Sequence, residues 1–395
     1  MVAALPKGNV ARRQKIRQIP TGQVAFDAKV RDTEEGNMKR TGNTFDEIIS
    51  MPNLQKAADL ACYARRDKME VARFEVGRND LLLAIQRDVG DRTYVPSDFR
   101  FFTRVENGKE RMISDRPLYP DRILEWAIAL VVEPDLDRRM VWQSHASRKG
   151  HGIHTCVMDL YRRLADERFR YVLSLDVHRF YQSMDKEIVK ADYRRCIKDH
   201  DTLWLLDLLV DSYPKEGISL GGRMSPVYGN LYLNALDRHL KEDRHVHAMG
   251  RYMDNYFILG YSKPWLHSIQ KDIEASLAEI GLSLNPSGGA MPVDSTHGFD
   301  CLGYVVYSDH ILLRKKNKGR MIAAFQTIQA KQDAGIPLDS HDLGGIASYK
   351  GMLQWCDSYN LRRKYYDPVV DRIEGHDGLR NGFNKHLVIK NENEN

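Results

Sequence analysis

The stretch RYMDNYFILG at residues 251–260 decides the fold of this chain. Aromatic and aliphatic residues flank the polar pair Asp254 and Asn255, which is the pattern of a β-hairpin with its turn at the polar pair. A second apolar stretch, Tyr171 to Leu175, ends at Asp176. Each aspartate taken alone is more often a turn or cap residue than a functional one. Two carboxylates that converge from the ends of neighbouring strands, however, can hold two divalent ions.

The composition is that of a soluble globular protein with a small positive charge. The 395 residues are 42% hydrophobic and 29% charged, with a net charge of +5 at pH 7. The longest purely apolar stretch, Trp126 to Val132, is too short to span a membrane, and the basic N-terminus has no apolar signal core. We therefore expect a cytoplasmic protein that does not enter a membrane. The five cysteines are widely spaced and lack metal-ligand spacing, which predicts buried thiols.

Hydrophobic periodicity predicts helices that alternate with short strands. Folded structure is expected from about Pro52, after an N-terminal arm that orders only against a partner. Asn107-Gly108 marks one β-hairpin, and Phe299 to Arg314 forms a second. The chain from residue 317 is predicted to be mostly helical, with Leu353, Trp355 and Tyr359 in its core. Helices are predicted at two places between residues 54 and 85, and at about 120–139, 153–168, 185–213, 224–243 and 264–281.

The order of these segments resembles the reverse transcriptases of bacteria, in the lineage that includes group II intron and diversity-generating retroelement enzymes. The resemblance covers roughly residues 53–365 and rests on several motifs that are weak singly but stand in the right order. RYMDNYFILG is similar to the YxDD motif of the family, and LDVHRFYQSMD (175–185) to its first metal motif. The other motifs are RMISDRPLYPDRILEW (111–126), SHASRKGHGIHT (144–155), GISLGGRMSPVYGNLYLNALDRHL (217–240), FDCLGYVV (299–306) and IASYKGMLQWCDSYNL (346–361).

The resemblance implies an α+β fold of the right-hand polymerase type, with fingers, a palm built on an antiparallel sheet, and a helical thumb. The expected divisions are a basic N-terminal extension (1–52), fingers (53–170), palm with fingers insertions (171–315), and helical thumb and tail (316–395). The implied partners are an RNA template or noncoding RNA, the DNA product and dNTPs. Basic clusters at 12–17, 314–320 and 362–364 suit phosphate backbones. A homo-oligomer or a second protein subunit is expected to contact the N-terminal arm.

The resemblance assigns the metal chemistry to the two motifs that contain Asp176 and Asp254. Both are expected to be catalytic ligands of Mg²⁺, with Mn²⁺ as the alternative ion, and the carbonyl of Val177 is expected to add an oxygen. Asn255 stands where the family almost always has a second aspartate. An amide oxygen can coordinate a cation but carries no charge. The site would then hold two formal negative charges, and Mn²⁺ would replace Mg²⁺ more effectively than usual.

Further residues match family positions that contact nucleotide, primer or template. Tyr181 matches an aromatic gate that clashes with a ribose 2′-OH, and Arg111, with Arg104 on the preceding strand, matches the basic residue that pairs with the triphosphate. Arg148 is either a nucleotide ligand or a structural residue, and Leu220-Gly221 belong to the glycine turn near the nucleotide. The expected primer and template contacts are Leu302, Gly303, Tyr304, Lys315, Lys316 and Lys318.

Departures from the family pattern leave three functions open. Leu220 replaces the glutamine of intron enzymes and is typical of diversity-generating ones, whereas Ser225-Pro226 is of the intron type. LSLNPSGGAMP (282–292) lacks a lysine that intron enzymes often have there. The first interpretation is an RNA-directed DNA polymerase that works with a dedicated noncoding RNA in antiphage defence. The second is the mutagenic enzyme of a diversity-generating retroelement, and the third is an inactive nucleic-acid-binding relative.

Overall fold

The computed structural model describes residues 40–63, 65–106, 109–214, 217–373 and 379. The compact unit that contains these residues begins at Lys39, and the unit Met1–Met38 lies outside the described residues. The basic cluster at 12–17 and most of the predicted N-terminal arm, with its expected oligomer contact, lie there as well.

Helices form most of the described secondary structure. Short π-helical turns span Leu118–Arg122, His239–Asp243 and Arg362–Tyr366. None of the described helices is both long enough and apolar enough to span a membrane. In chain order the helices are α1 (Phe45–Ile48), α2 (Met51–Tyr63), α3 (Met69–Val76), α4 (Arg78–Gly90), α5 (Ile123–Asp137), α6 (Ile153–Arg163), α7 (Phe180–Ser183), α8 (Lys186–Cys196), α9 (His200–Asp211), α10 (Ser225–Tyr232), α11 (Asn234–Arg238), α12 (Lys263–Glu279), α13 (Lys315–Asp333), α14 (Ser340–Leu353), α15 (Tyr359–Leu361) and α16 (Asp367–Val370).

The described strands pair in antiparallel sheets, which confirms the predicted α+β class. The strands are β1 (Arg100–Glu106), β2 (Lys109–Asp115), β3 (Tyr171–Asp176), β4 (Met249–Tyr252), β5 (Asn255–Gly260), β6 (Gly289–Pro292), β7 (Phe299–Cys301), β8 (Tyr304–Val306) and β9 (Ile311–Leu313). A two-stranded ribbon joins β1 and β2, a central sheet has the order β4-β5-β3-β6, and a third sheet has the order β7-β8-β9.

Alternation along the inner strands β3 and β5 sends neighbouring side chains into two different cores. Leu173 and Ile258 belong to the core that contains α12, whereas Val172 and Leu259 belong to a second core that contains α6. All four side chains are buried. A slip of one residue would exchange the two sets of side chains, so this burial fixes the strand register. The ends of β3 and β5 are therefore held in a fixed relation.

The predicted helix at 185–213 is wrong as a single element, because the chain leaves the helix at Ile197. Asp185 caps α8 by accepting a hydrogen bond from the Glu187 amide, and Ile197 after that helix is extended. Asp199 then caps α9 by accepting from the amides of Asp201 and Thr202. Side-chain caps of this kind satisfy the free amides of a first helical turn. Apolar residues recur in both helices, and the apolar pattern alone did not reveal the break.

Other elements differ from prediction in extent. The predicted hairpin at 299–314 is a three-stranded sheet, because Leu302 and Gly303, with φ of 49° and 97°, turn the chain between β7 and β8. The predicted helix at 153–168 ends at Arg163, and the one at 224–243 is divided into α10, α11 and a π-helical turn. Helix α3 and strand β6 were not predicted. The strands on both sides of Asn107-Gly108 and helix α12 are confirmed.

The sequence predicted that folded structure starts at about Pro52, but it begins earlier in the chain. The Thr41 amide donates to the Cys196 carbonyl and its carbonyl accepts from the Lys198 amide, both at 2.8 Å. Ile48 of α1 is fully buried. The last part of the predicted extension therefore packs against the helical region around α8 and is not a free arm.

Burial agrees with most of the sequence expectations. All five cysteines are buried and free, as predicted. The helical tail is confirmed by α13 and α14, and its predicted core residue Leu353 is fully buried. Tyr359 was also predicted to lie in the core, but 60% of it is exposed. Tyr359 begins the short helix α15, and Tyr366, which is 1% exposed, lies in the second core instead.

Candidate active site

The pairing of β3 with β5 brings the two predicted metal ligands to the same end of the central sheet. Asp176, the last residue of β3, lies opposite Asn255, the first residue of β5. The Val177 amide donates a hydrogen bond to the Asp254 carbonyl at 3.0 Å, which continues this pairing into the turn. Both aspartates are partly buried. Two positions that are 78 residues apart in sequence are thus neighbours in the fold.

A buried arginine holds the turn that carries Asp254. Tyr252 and Asn255 pair across a two-residue turn in which Met253 has a φ of 54°. The Arg251 guanidinium is fully buried and donates to the Met253 carbonyl at 2.9 Å and to the Asp237 carboxylate at 2.6 Å. Burial by itself would lower the pKa of Arg251, but the Asp237 carboxylate raises it above its usual value, so the guanidinium stays charged.

Sequence reasoning quoted Arg251 and Asp237 inside motifs but gave neither a role. Asp237 also accepts a hydrogen bond from the Tyr256 hydroxyl at 3.0 Å, so its carboxylate joins α11 to both strands of the hairpin. The sequence signal for this pair was a charged residue inside an apolar stretch. Such a residue is expected to be buried, and a buried charge needs a partner of opposite sign.

Each of the two aspartates accepts a hydrogen bond from an asparagine amide. Asn255 Nδ2 donates to Asp254 Oδ1 at 3.1 Å. Asn285 Nδ2 donates to Asp176 Oδ2. Sequence analysis proposed Asn255 as a metal ligand and missed Asn285, which it read only as part of a stretch that lacks a lysine. Nothing in the residue type marks Asn285, since its partner lies on a distant strand.

The chemistry of the donor set fits a hard divalent cation. The carboxylates of Asp176 and Asp254, the carbonyl of Val177 and the amide oxygen of Asn255 are all oxygen donors, which Mg²⁺ and Mn²⁺ prefer. A separate group of three ligand-type side chains in the described residues is Asp339, His341 and Asp342. Asp339 and Asp342 form the capping box of α14, and Asp342 also binds Lys331 at 2.7 Å, so a structural role accounts for that group.

Tyr181 lies beside the turn of the hairpin. Its hydroxyl donates to Met253 Sδ at 3.3 Å, and its carbonyl accepts from the Ile218 amide at 2.8 Å. Burial, and secondarily the Asp254 carboxylate, raise the pKa of the Tyr181 hydroxyl, so the ring remains neutral at physiological pH. The close packing requires a glycine at Gly217, where φ is +70° and a Cβ would lie 2.2 Å from the Tyr181 carbonyl oxygen.

The glycine turn joins the central part of the fold to the β1–β2 ribbon. The Leu220 carbonyl accepts from the Ser114 amide at 3.2 Å and from its hydroxyl at 2.9 Å. Gly221 has a φ of +124°, and a Cβ there would lie 2.2 Å from the Ser114 carbonyl oxygen. The predicted triphosphate residues lie farther along this ribbon, where Arg104 pairs in register with Arg111. The Arg111 side chain lies outside the described part of the structure.

The structure surrounds Arg148 with partners of its own chain. Its guanidinium binds Asp137 at 2.5 Å and donates to the carbonyls of Val141 and Ser144 at 2.6 and 2.7 Å. Only 7% of the side chain is exposed. These contacts give the arginine a structural role in the loop before α6, and its assignment to nucleotide stays an untested prediction.

The predicted primer contacts divide into buried and exposed residues. Tyr304 is 1% exposed, and its hydroxyl donates to the Met352 carbonyl at 3.1 Å and contacts His154 Nε2 at 2.9 Å. Its ring therefore packs in the interior beneath the sheet. Leu302 and Gly303, which form the β7–β8 turn, are partly buried. The predicted template contacts Lys315, Lys316 and Lys318 are exposed on the first turns of α13.

Comparison with known proteins matches the central part of the chain. The sequence profile of a family described as reverse transcriptase (RNA-dependent DNA polymerase) matches residues 103–306, which include Asp176, Tyr181 and Asp254. Protein YkfC of Escherichia coli (strain K12) is 25% identical over 200 residues, 48% of this chain and 48% of that protein. The mitochondrial nuclear intron maturase 1 of Arabidopsis thaliana is 25% identical over 105 residues, 26% of this chain and 14% of the maturase. The chain thus spans less than half of either relative.

Solved structures of telomerases are distantly similar. Telomerase from Candida tropicalis, in complex with a fragment of telomeric RNA, has a TM-score of 0.46 and 10% identity over 70% of this chain and 53% of that chain. Telomerase from Candida albicans, also in complex with a fragment of telomeric RNA, has a TM-score of 0.43 and 9% identity over 70% of this chain and 57% of that chain.

Proposed function

The chain belongs to the reverse transcriptase (RNA-dependent DNA polymerase) family and has its right-hand polymerase fold, and from this premise we propose that it is an active RNA-directed DNA polymerase. The observation that carries the proposal is the pairing of Asp176 with Asn255, which puts Asp254 in the adjoining turn. Two carboxylates at adjacent strand ends suit two-metal nucleotidyl transfer. In that reaction a primer 3′-oxygen bonds to the α-phosphorus of a dNTP, and pyrophosphate leaves.

In this proposal four residues hold the divalent ions. Asp176 and Asp254 supply carboxylate oxygens, Val177 a carbonyl oxygen and Asn255 an amide oxygen. The ions are Mg²⁺, with Mn²⁺ as the alternative, and when bound they supply Lewis-acid stabilisation of the attacking oxygen and the leaving pyrophosphate. The protein's own part is to orient both carboxylates. The side-chain amides of Asn255 and Asn285 support that role, because a hydrogen bond limits the rotation of the carboxylate that accepts it.

The remaining residues would select and place the substrates. Tyr181, packed against Met253, is proposed to exclude a ribose 2′-OH. Arg104 and Arg111 of the β1–β2 ribbon are proposed to bind the triphosphate, while Leu220 and Gly221 lie where the ribbon meets the glycine turn. The exposed lysines at the start of α13 suit the phosphate backbones of an RNA template and DNA product, with which contacts are electrostatic and indifferent to sequence.

A finer proposal is that the enzyme works with a dedicated noncoding RNA in antiphage defence. It rests on the mixed motifs, in which Leu220 and Asn255 depart from the intron pattern while Ser225-Pro226 keeps it. Bacteria that express the protein with its native RNA and then meet phage test this directly. Protection that is lost in Asp176→Ala supports the role, and equal survival of wild type and variant overturns it.

The two alternatives predict different products from one assay. The assay is incorporation of labelled dNTPs by purified protein with its copurifying RNA, in Mg²⁺ and Mn²⁺ separately. A faithful polymerase gives accurate copies, a diversity-generating enzyme gives DNA with frequent substitutions, and a relative inactivated by Asn255 gives no product with either ion. We expect incorporation to fall by about a hundredfold or more in Asp176→Ala and in Asp254→Ala, which corresponds to about 3 kcal/mol of transition-state stabilisation.

The matched control is Asp67→Ala, which removes an exposed carboxylate whose one ion pair among the described residues is with its neighbour Lys68. Incorporation by this variant should equal that of the wild type. Product from wild type that persists in Asp176→Ala would contradict the assignment of the site, and absence of product from wild type with both ions would contradict the polymerase itself.

A further inference from the structure

Backbone contacts pin Asn285 beside the end of β3. The backbone amide of Asn285 donates to the backbone carbonyl of Asp176, and the backbone amide of His178 donates to the carbonyl of Ser283, both at 2.8 Å. Between these two hydrogen bonds, Val177 and Leu284 form an isolated antiparallel bridge. The position of Asn285 is therefore fixed by main-chain pairing, independently of its side chain.

A bulge in this pairing directs the Asn285 side chain. Strands β3 and β6 pair regularly as far as Ser174 with Gly289, and the next pairing joins Val177 to Leu284. Three steps along β3 thus correspond to five steps along the partner, so two extra residues bow out opposite Asp176. Gly288 suits this bow because a Cβ there would lie 2.8 Å from the Ser174 carbonyl oxygen. Bulges commonly redirect a side chain near a functional site.

The side-chain amide of Asn285 bridges the side chains of Asp176 and His178. Its Nδ2 donates to Asp176 Oδ2, and its Oδ1 lies 2.9 Å from His178 Nδ1. The Asp176 carboxylate oxygen accepts from the amide nitrogen, which leaves the amide oxygen to accept from His178 in the tautomer that carries its proton on Nδ1. The Asp176 carboxylate therefore sets the orientation of the amide, and His178 supplies its second contact. Among the described residues Asp176 Oδ1 has no hydrogen-bond partner, which leaves this oxygen for a cation.

We propose that Asn285 is a positioning residue that orients the Asp176 carboxylate for the divalent cation, with His178 as its anchor. The inference rests on the proposed function, since it assumes that Asp176 is a metal ligand. A ligand that is already oriented loses less freedom on binding. Mutation of a residue that holds a metal ligand in this way typically lowers metal affinity by about 10- to 100-fold. The side-chain amide of Asn255 likewise donates to the carboxylate of its neighbour Asp254.

The test is Mn²⁺ affinity of the purified full-length protein without nucleic acid, measured by electron paramagnetic resonance of the free ion. Wild type and Asp176→Ala identify the binding that depends on this site. Asn285→Leu keeps the side-chain size but removes both hydrogen bonds, and we expect it to weaken Asp176-dependent binding by at least about tenfold. His178→Phe removes only the anchor and should weaken binding by a smaller factor. A second readout is the Mg²⁺ concentration for half-maximal incorporation, which should rise while the KM for dNTP stays constant.

Asn79→Leu is the matched control, because it makes the same replacement at an exposed position of α4. Thermal unfolding in EDTA reports folding without any metal. If Asn285→Leu fails to fold, the exposed His178 still permits the test, and unchanged Mn²⁺ affinity in His178→Phe would then overturn the role. Equal affinity of wild type and folded Asn285→Leu would overturn the role of Asn285 alone. Absence of Asp176-dependent binding in the wild type would overturn the proposed function and this role with it.

Discussion

At the scale of single residues, the Asn255 side chain sets how much negative charge surrounds the proposed metal site. Its nitrogen faces Asp254 Oδ1 at 3.1 Å, so its oxygen is the atom left for a cation. An aspartate at this position would put two carboxylates side by side, and their like charges would repel until a cation bound. Asn255 therefore stabilises the turn without metal and weakens the attraction for metal.

Asn255→Asp should lower the Mg²⁺ concentration needed for half-maximal dNTP incorporation by about tenfold, which corresponds to about 1.4 kcal/mol of binding. The added carboxylate supplies both charge and a stronger oxygen donor. Asn255→Ala, which removes the donor and the oxygen together, should raise the required concentration. A Mg²⁺ titration of incorporation checks both variants, and identical curves for the three proteins would show that the side chain has no part in metal binding.

Tyr181→Ala should weaken the discrimination between dNTPs and NTPs. The ring packs against Met253 next to Asp254, so its removal opens space at the proposed position of the sugar. The ratio of kcat/KM for a dNTP to that for the matching NTP should fall by about tenfold or more, that is, about 1.4 kcal/mol. Tyr181→Phe keeps the ring and should leave the ratio unchanged. If the alanine variant discriminates as well as the wild type, Tyr181 is a packing residue and not a gate.

At the scale of elements, the β4–β5 hairpin is held by a buried ion pair as well as by strand pairing. Arg251 and Asp237 are both fully buried, and the arginine also donates to the Met253 carbonyl of the turn. Removing one partner of such a pair leaves the other charge buried alone, which is far more costly than losing an exposed ion pair. The position of Asp254 therefore depends on a contact outside the proposed metal site.

Asp237→Asn should lower the free energy of unfolding by about 3 kcal/mol or more, because the Arg251 charge would lose its carboxylate partner in the interior. Urea unfolding followed by circular dichroism measures the change. The same replacement at the exposed Asp67 should alter stability little. Equal stability of Asp237→Asn and wild type would mean that the pair does not support the hairpin.

At the scale of the whole molecule, the order of strands and helices was largely predictable, because periodicity and turn residues are local. The central hairpin follows from the apolar residues around Asp254, and the break between α8 and α9 could have been found at the capping residue Asp199. These features need only a few consecutive residues. The right-hand polymerase class and the convergence of Asp176 with Asp254 came instead from the resemblance of the ordered motifs to a known family.

Contacts between distant segments were not predictable. Asn285 binds a carboxylate 109 residues away, through a bulge that no local pattern announces. The primer contact of Tyr304 stays a prediction, but its burial against Met352 was not foreseen, because alternation along a strand does not tell which face meets solvent. The ion pair of Arg148 with Asp137 was likewise visible only in the fold. Residues of this kind need the three-dimensional fold before a role can be proposed.

The central claim is that Asp176 and Asp254 act together in one site of DNA synthesis, and a double-mutant cycle of primer extension on an RNA template tests it most directly. Wild type, Asp176→Ala, Asp254→Ala and the double variant are compared in the same Mg²⁺ buffer. Residues that act as a unit are strongly non-additive. The account predicts loss of extension in both single variants and no further loss in the double variant. Losses that multiply in the double variant, or extension that survives either single change, would contradict it.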